Sequence, residues 1–302
     1  GGEWAKEKGA FEVTKIDAES KETITNNEAS FTLWYELNGE WVQFGDTVYT
    51  TENGVLRVGN LPLRTYRLVE VESPEGYVLT EGDVETQGKY IAIEVTEGFN
   101  NNEDNVVKKK FANTKEKIEI TGTKVWVGGE FNRPESIQLQ LFRDGEAYRG
   151  PITLESGKTE YTWTNLDKTD IDGNEYKYTV DEVETPENYG KSISEDKLTI
   201  TNTYGSPETD ITGRKVWKGG SSRKPTIELQ LFRNKVGEKD KEAIGDPVTL
   251  EDGVYEHTWK DLAKTDEDGK EYVYTIDEVK TPSGYRKSIS KDGLTVTNTK
   301  IP

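Results

Sequence analysis

The stretch Tyr178-Thr179-Val180-Asp181-Glu182-Val183 returns almost letter for letter as Tyr274-Thr275-Ile276-Asp277-Glu278-Val279, and more loosely as Tyr66-Arg67-Leu68-Val69-Glu70-Val71. Side chains alternate across an extended strand, so Tyr178, Val180 and Glu182 share one face, as do Tyr274, Ile276 and Glu278, and Tyr66, Leu68 and Glu70. Any fold of this chain must therefore place a carboxylate in an inward slot three times. A lone ionised carboxylate there is costly, so either the face is wet or the acid is kept neutral and partnered.

The repetition extends well beyond these strands. Ile120-Thr-Gly-Thr-Lys-Val-Trp126 matches Ile211-Thr-Gly-Arg-Lys-Val-Trp217, and Ile137-Gln-Leu-Gln-Leu-Phe-Arg143 matches Ile227-Glu-Leu-Gln-Leu-Phe-Arg233. Both copies then carry a Trp-containing strand (Tyr161 to Trp163, Tyr255 to Trp259), an Asp-Gly turn (Asp172-Gly173, Asp268-Gly269) and a closing Thr-Asn-Thr at Asn202 and Asn298. The copies lie 91 residues apart at the lysines (124 to 215) and 96 apart at the glutamates (182 to 278). The added residues fall in Asn234 to Asp246, against Asp144 to Gly150, where a surface loop absorbs them. Residues 1–115 read as a more distant copy, with Phe11 to Asp17, Tyr66 to Val71 and Phe111 to Lys115 in the corresponding places. This copy spans 43 residues from Glu70 to Asn113, against 20 from Glu182 to Asn202, and Tyr90 to Val95 in the excess alternates like a strand. An added hairpin is expected there, with a polar loop from Asn100 to Asn105.

Short alternating strands with turn signals every few residues predict an all-β protein of three tandem β-sandwich domains, residues 1–115, 116–205 and 206–302. The junctions Lys115-Glu-Lys117 and Tyr204-Gly-Ser-Pro-Glu208 are too short for free tethers, which points to an elongated rod. A net charge of −18 opposes nucleic-acid or anionic-membrane binding, and no apolar run approaches a membrane span. With no Cys, disulfides, thiolate zinc sites and cysteine nucleophiles are excluded.

Each copy keeps three polar residues of inward parity. Lys124 shares the face of Ile120 and Trp126, and Asn202 that of Leu198 and Ile200; the third copy offers Lys215 and Asn298 in the same way. Glu184 has the parity of Glu182, but its counterpart is Lys280, so only the 182/278 slot retains its acid, and Glu70 is preferred to Glu72 by the same register. Parity leaves two arrangements open: a buried salt bridge with an amide hydrogen bond, or a covalent bond between amine and amide.

Gly-x-Lys-Val-Trp, Tyr-x-Val/Ile-Asp-Glu-Val and Thr-Asn-Thr, in that order and twice over, resemble the CnaB type of B-repeat domain found in Gram-positive collagen adhesins and pilins. In the first copy Thr-Lys-Ile-Asp, Leu-Val-Glu-Val-x-Ser-Pro-Glu-Gly-Tyr and Ala-Asn-Thr-Lys are similar to the pilin versions. The resemblance implies Ig-like sandwiches in which a first-strand Lys forms an isopeptide bond with a last-strand Asn, assisted by a buried acid. The implied pairs are Lys15 with Asn113, Lys124 with Asn202 and Lys215 with Asn298, with Glu70, Glu182 and Glu278 as catalytic acids. It further implies an extracellular, cell-wall-anchored pilus or adhesin-stalk subunit. Its partners are then other pilin subunits or an N-terminal adhesive region, and peptidoglycan through sortase; Ile301-Pro302 resembles the opening of a sorting signal.

A competing reading makes the first copy a ligand-binding module for a host surface protein, through Trp34, Tyr35, Trp41 and Phe44; core and hairpin packing is the plainer account of these aromatics. An enzyme with turnover is not expected, since the single His257 falls in a polar strand. No cofactor or metal is expected either. Asp170-Ile-Asp-Gly and Asp266-Glu-Asp-Gly lack the twelfth-position Glu of a calcium loop and read as turns. Lys108-Lys109-Lys110 reads as a solvated strand edge.

Overall fold

A computed structural model describes residues 7–79, 89–96 and 106–302; the loop expected from Asn100 to Asn105 lies outside them. The first repeat contributes β1 (Lys8–Asp17), β2 (Ser30–Leu37), β3 (Glu40–Gln43), β4 (Tyr49–Thr50), β5 (Val55–Pro62), β6 (Arg64–Glu72), β7 (Tyr90–Val95) and β8 (Val106–Asn113). The second runs through β9 (Lys117–Val127), β10 (Ser136–Arg143), β11 (Glu146–Ala147), β12 (Ile152–Glu155), β13 (Glu160–Asp167), β14 (Tyr178–Glu182), β15 (Tyr189–Ile193) and β16 (Thr199–Tyr204). The third adds β17 (Glu208–Lys218), β18 (Ile227–Lys235), β19 (Glu242–Leu250), β20 (Glu256–Ala263), β21 (Tyr272–Glu278), β22 (Tyr285–Ile289) and β23 (Thr295–Lys300). All regular structure among the described residues is β. The chain divides into two compact units, Gly1–Thr121 with Phe142–Glu146 and Thr162–Tyr178, and Gly122–Leu141 with Ala147–Tyr161 and Thr179–Pro302.

Each repeat makes two sheets. In the first they are β5-β1-β8 and β3-β2-β6-β7, with β4 also on β2; in the second, β13-β9-β16-β15 and β11-β10-β12, with β14 on β10; in the third, β20-β17-β23-β22 and β19-β18-β21. The first and last strands of every repeat are parallel neighbours: β1 with β8, β9 with β16, β17 with β23. A tight turn cannot join parallel strands, so the rest of each repeat serves as the crossover between them.

Period-two burial builds the cores. Phe11, Val13, Phe31, Leu33, Tyr66, Leu68 and Phe111 close the first, and Leu229, Leu231, Ile276 and Val296 the third. Each such side chain contributes about 1.5–3 kcal/mol by leaving water. Gly213 on β17 lies against this third core, where a methyl group in its place would come 2.9 Å from the Trp259 ring and 3.0 Å from Ile276. Gly213→Ala is therefore expected to destabilise the third repeat by about 1–3 kcal/mol, read as an earlier thermal transition.

The described part of the first repeat's insert is a single strand, β7, laid antiparallel along β6 from Arg64↔Val95 to Val69↔Tyr90. It extends the glutamate-bearing sheet, whereas β15 and β22 flank the asparagine strands of the other repeats. The loop grown between Asn234 and Asp246 lengthens the β18–β19 ribbon. Asn38 and Gly39, both left-handed at φ 54° and 84°, fold β2 onto β3. The aromatics near this hairpin separate: Tyr35 and Phe44 pack on the core, Trp34 donates to Thr32 Oγ1 at 2.9 Å, and Trp41 stacks on the Arg67 guanidinium 3.9 Å away. Lys108, Lys109 and Lys110 are exposed on β8, an edge strand of its sheet among the described residues.

Candidate cross-linking sites

In each repeat the first-strand Lys and last-strand Asn come from one sheet and the Glu from the other. Register sets the first two: on the parallel pairs Asp17 is opposite Asn113, Trp126 opposite Asn202 and Trp217 opposite Asn298. Each Lys stands two residues before the position facing its Asn, so both side chains share a face and lie on a diagonal of the ladder. The acids enter from β6, β14 and β21. Glu70, Glu182 and Glu278 are buried, with Tyr66 and Leu68, Tyr178 and Val180, and Tyr274 and Ile276 on the same inward faces. Glu184 is exposed.

The three groups meet in dry surroundings. Lys15, Lys124 and Lys215 are at most 3% exposed, and the three Asn at most 1%. Glu70 Oε2 lies 3.3 Å from the Lys15 amine, Glu182 Oε2 3.6 Å from that of Lys124, and Glu278 Oε2 3.1 Å from that of Lys215. The other carboxyl oxygen accepts from the Asn amide nitrogen at 2.6 Å in the first repeat, 3.1 Å in the second and 3.0 Å in the third. One carboxyl thus spans from amine to amide at every site. In the second and third repeats the amine also donates to the Asn side-chain oxygen. In the first repeat Lys15 donates instead to the Phe111 carbonyl at 3.1 Å, and Asn113 sends a second bond to the Val78 carbonyl at 3.2 Å.

Burial tunes the charges. It lowers Lys15 and Lys124 to about 8 against the pull of their glutamates, and lowers Lys215 as well. Burial raises Glu70 above the ordinary carboxylate range although Lys15 opposes it. Both shifts at the first site favour a neutral amine beside a protonated acid.

Two features of these sites are only partly legible, or not legible, in the sequence. Each amine sits over an aromatic face, Phe111 at 4.4 Å, Trp126 at 3.4 Å and Trp217 at 4.1 Å, which shields it from water on that side. Lys-Val-Trp shows Trp126 and Trp217 on the lysine's face, but Phe111 comes from the other strand. Lys89 donates to the Ala112 carbonyl and lies 5.3 Å from the Phe111 ring, and it has no counterpart in the other repeats.

The family model of the Cna protein B-type domain matches residues 120–203 and 211–299, more than half of the chain. The chain belongs to the Cna protein B-type domain family. A prealbumin-like fold domain matches residues 9–98 of this B-type chain. Over 98% of its length the chain is 30% identical to a collagen adhesin of Staphylococcus aureus, of which it spans 25%. Among solved structures, a single B repeat unit of the S. aureus collagen-binding surface protein is 27% identical, covering 62% of this chain and 100% of that one, with a TM-score of 0.28. The major pilin subunit of Bacillus cereus is 15% identical over 97% of this chain and 99% of its own, with a TM-score of 0.33.

Proposed function

We propose that this chain is a force-carrying segment of a Gram-positive cell-surface protein, an adhesin stalk or a basal or ancillary pilin. Its repeats, residues 1–115, 116–205 and 206–302, are each locked by an amide between Lys15 and Asn113, Lys124 and Asn202, or Lys215 and Asn298. The supporting observation is the threefold burial of one amine, one carboxyl and one carboxamide together, with the carboxyl between the other two.

The chemistry follows from that placement. The neutral Lys amine attacks the Asn side-chain carbonyl carbon while the Glu carboxyl holds the amide through its nitrogen. The carboxyl takes the proton released by the amine and delivers one to the departing nitrogen, so a C–N bond forms, another breaks and ammonia leaves. Fixed proximity supplies most of the rate. Each site reacts once, so the chain processes itself without turning over a substrate.

Pulling a repeat through its ends loads the first strand against its parallel last strand. A bond between Lys124 and Asn202 carries that load past the hydrogen-bond ladder and holds the intervening chain out of the force path. It also keeps a locally opened repeat closed into a loop, which limits proteolysis as a disulfide does. Anchoring through sortase to peptidoglycan, with pilin subunits or an adhesive region as neighbours, completes the reading.

Intact mass tests it. Three bonds place the purified chain about 51 Da below the mass calculated from its sequence, roughly 17 Da per ammonia. A mass equal to the calculated one returns Lys, Glu and Asn to an ordinary buried polar network and removes the mechanical argument.

A further inference from the structure

The Asp-Gly turns do more than reverse the chain. Thr169 bridges to Glu175 and Thr265 to Glu271. Asp170 Oδ1 gathers the amides of Asp172 and Asn174 at 3.0 and 2.9 Å, and Asp266 Oδ1 those of Asp268 and Lys270 at the same distances. Two congruent acidic knobs result, one on the second repeat and one on the third.

Each knob is seated on the preceding repeat. Within the first unit Asn27 donates to Ile171 O at 3.4 Å and, at 2.8 Å, to Glu75 O, while a methyl on Gly173 would come 2.9 Å from Glu75 and 3.0 Å from Asn27. Within the second unit Gly129 N donates to Glu267 O at 2.9 Å and Phe131 N to Asp268 O at 2.8 Å; a methyl on Gly269 would lie 2.8 Å from Asn132. Tyr204 closes this seat, its hydroxyl 2.7 Å from Thr265 Oγ1. Gly128 must stay small as well as left-handed (φ 70°), because a methyl there would meet Glu267 O at 2.5 Å.

The third repeat rebuilds this seat and leaves it open. Gly219 and Gly220 follow Trp217 as Gly128 and Gly129 follow Trp126, with the same left-handed backbone (φ 73° and 84°). Tyr285 packs edge-on to Trp217 at 5.1 Å, as Tyr189 does to Trp126, and its hydroxyl sits beneath Gly220 as that of Tyr189 sits beneath Gly129. Gly129 is buried and Gly128 half-buried, whereas Gly219 and Gly220 are exposed. The rim has also become cationic. Where the second repeat has Val127, Asn132 and Tyr204, the third has Lys218, Arg223 and Lys300, all exposed on a chain of net charge −18.

We infer that Gly219–Lys224, with Tyr285 and Lys300, is a docking face for the acidic Asp-x-Asp-Gly turn of another B-type repeat. The cationic rim complements the turn's carboxylates, and the glycine pair offers it the backbone amides of Gly220 and Ser222. The first repeat cannot supply such a turn, since only Leu63 separates β5 from β6. The partner is therefore a repeat of the second or third kind. This inference does not depend on the cross-links.

The test extends the full chain by a second copy of residues 206–302 after Pro302 and follows amide hydrogen exchange. Docking slows Gly220 and Ser222 by roughly tenfold or more relative to the unextended chain, towards the protection of Gly129 and Phe131. Slowing that is independent of protein concentration assigns the face to a following repeat, and slowing that grows with concentration to a repeat of a neighbouring molecule. Lys218→Glu with Arg223→Glu, or Ala at the added copy's Asx-turn aspartate, abolishes the protection while intact mass keeps the same deficit. Unchanged exchange at Gly220 and Ser222 on extension, or protection that survives these variants, overturns the assignment.

Discussion

Glu182→Ala leaves Lys124 and Asn202 unjoined, so this chain's intact mass rises by roughly 17 Da relative to that expected of a fully linked protein carrying the substitution. The second repeat loses stability through two routes. Lys124 stays buried without the carboxyl that stood 3.6 Å away, which costs about 3–5 kcal/mol. The loop closed between residues 78 apart is also released, worth about 4.5 kcal/mol in chain entropy. Single-molecule stretching gives the most direct readout. The parent chain withholds the stretch between Lys124 and Asn202, whereas the variant lengthens by roughly 270 Å more when that repeat opens. Asp181→Ala is the matched control: its carboxylate accepts from Lys191 at 2.9 Å in a largely solvated pair and from the Glu182 backbone amide at 2.7 Å, so about 1–2 kcal/mol is at stake while the cross-link still forms. Full cross-linking and an unchanged extension in Glu182→Ala would falsify the role given to this acid.

Much of this architecture was legible because its signals are local and occur more than once. Period-two alternation marks Tyr178, Val180 and Glu182 as one face, and the exchange of Glu184 for Lys280 between copies singles out the acid that stays inside. What escaped the sequence depends on relations between distant strands. The two-residue offset that brings Lys124 diagonally onto Asn202 is a property of the parallel β9–β16 register, which no stretch of residues encodes alone. The pairing of β7 with β6 was equally hidden, because alternation from Tyr90 to Val95 fixes a strand but not its neighbour. The Asp170 and Asp266 turns read correctly as turns. Their seating on Asn27 and Asn132 is a contact between repeats, and the chain shows it only once folded. Tyr35 and Phe44 pack inward from the hairpin that also turns Trp34 and Trp41 away, so an aromatic cluster in sequence became two separate environments.

Formation of the first repeat's bond is expected to slow as pH rises above about 8. The reactive pair, a neutral Lys15 amine with a protonated Glu70, holds one proton, the same number as the ion pair. Interconverting the two moves a proton between partners without taking any from solvent, so the rate is level while the pair holds one proton. Burial places the loss of that proton near the lowered Lys15 value of about 8. Above it a free amine faces a carboxylate that can no longer protonate the departing nitrogen, and the rate falls about tenfold per pH unit. On the acid side a second proton converts the pair to ammonium and carboxylic acid, which removes the nucleophile. Because burial also raises Glu70, this limb begins above the ordinary carboxylate range. The profile is measured on chain made cell-free, held unlinked in urea and diluted into buffers of stepped pH, by quantifying the Lys15–Asn113 cross-linked peptide by mass spectrometry. A rate that climbs tenfold per unit beyond pH 8 would instead mean that the free amine alone limits the step, and that Glu70 acts without its proton.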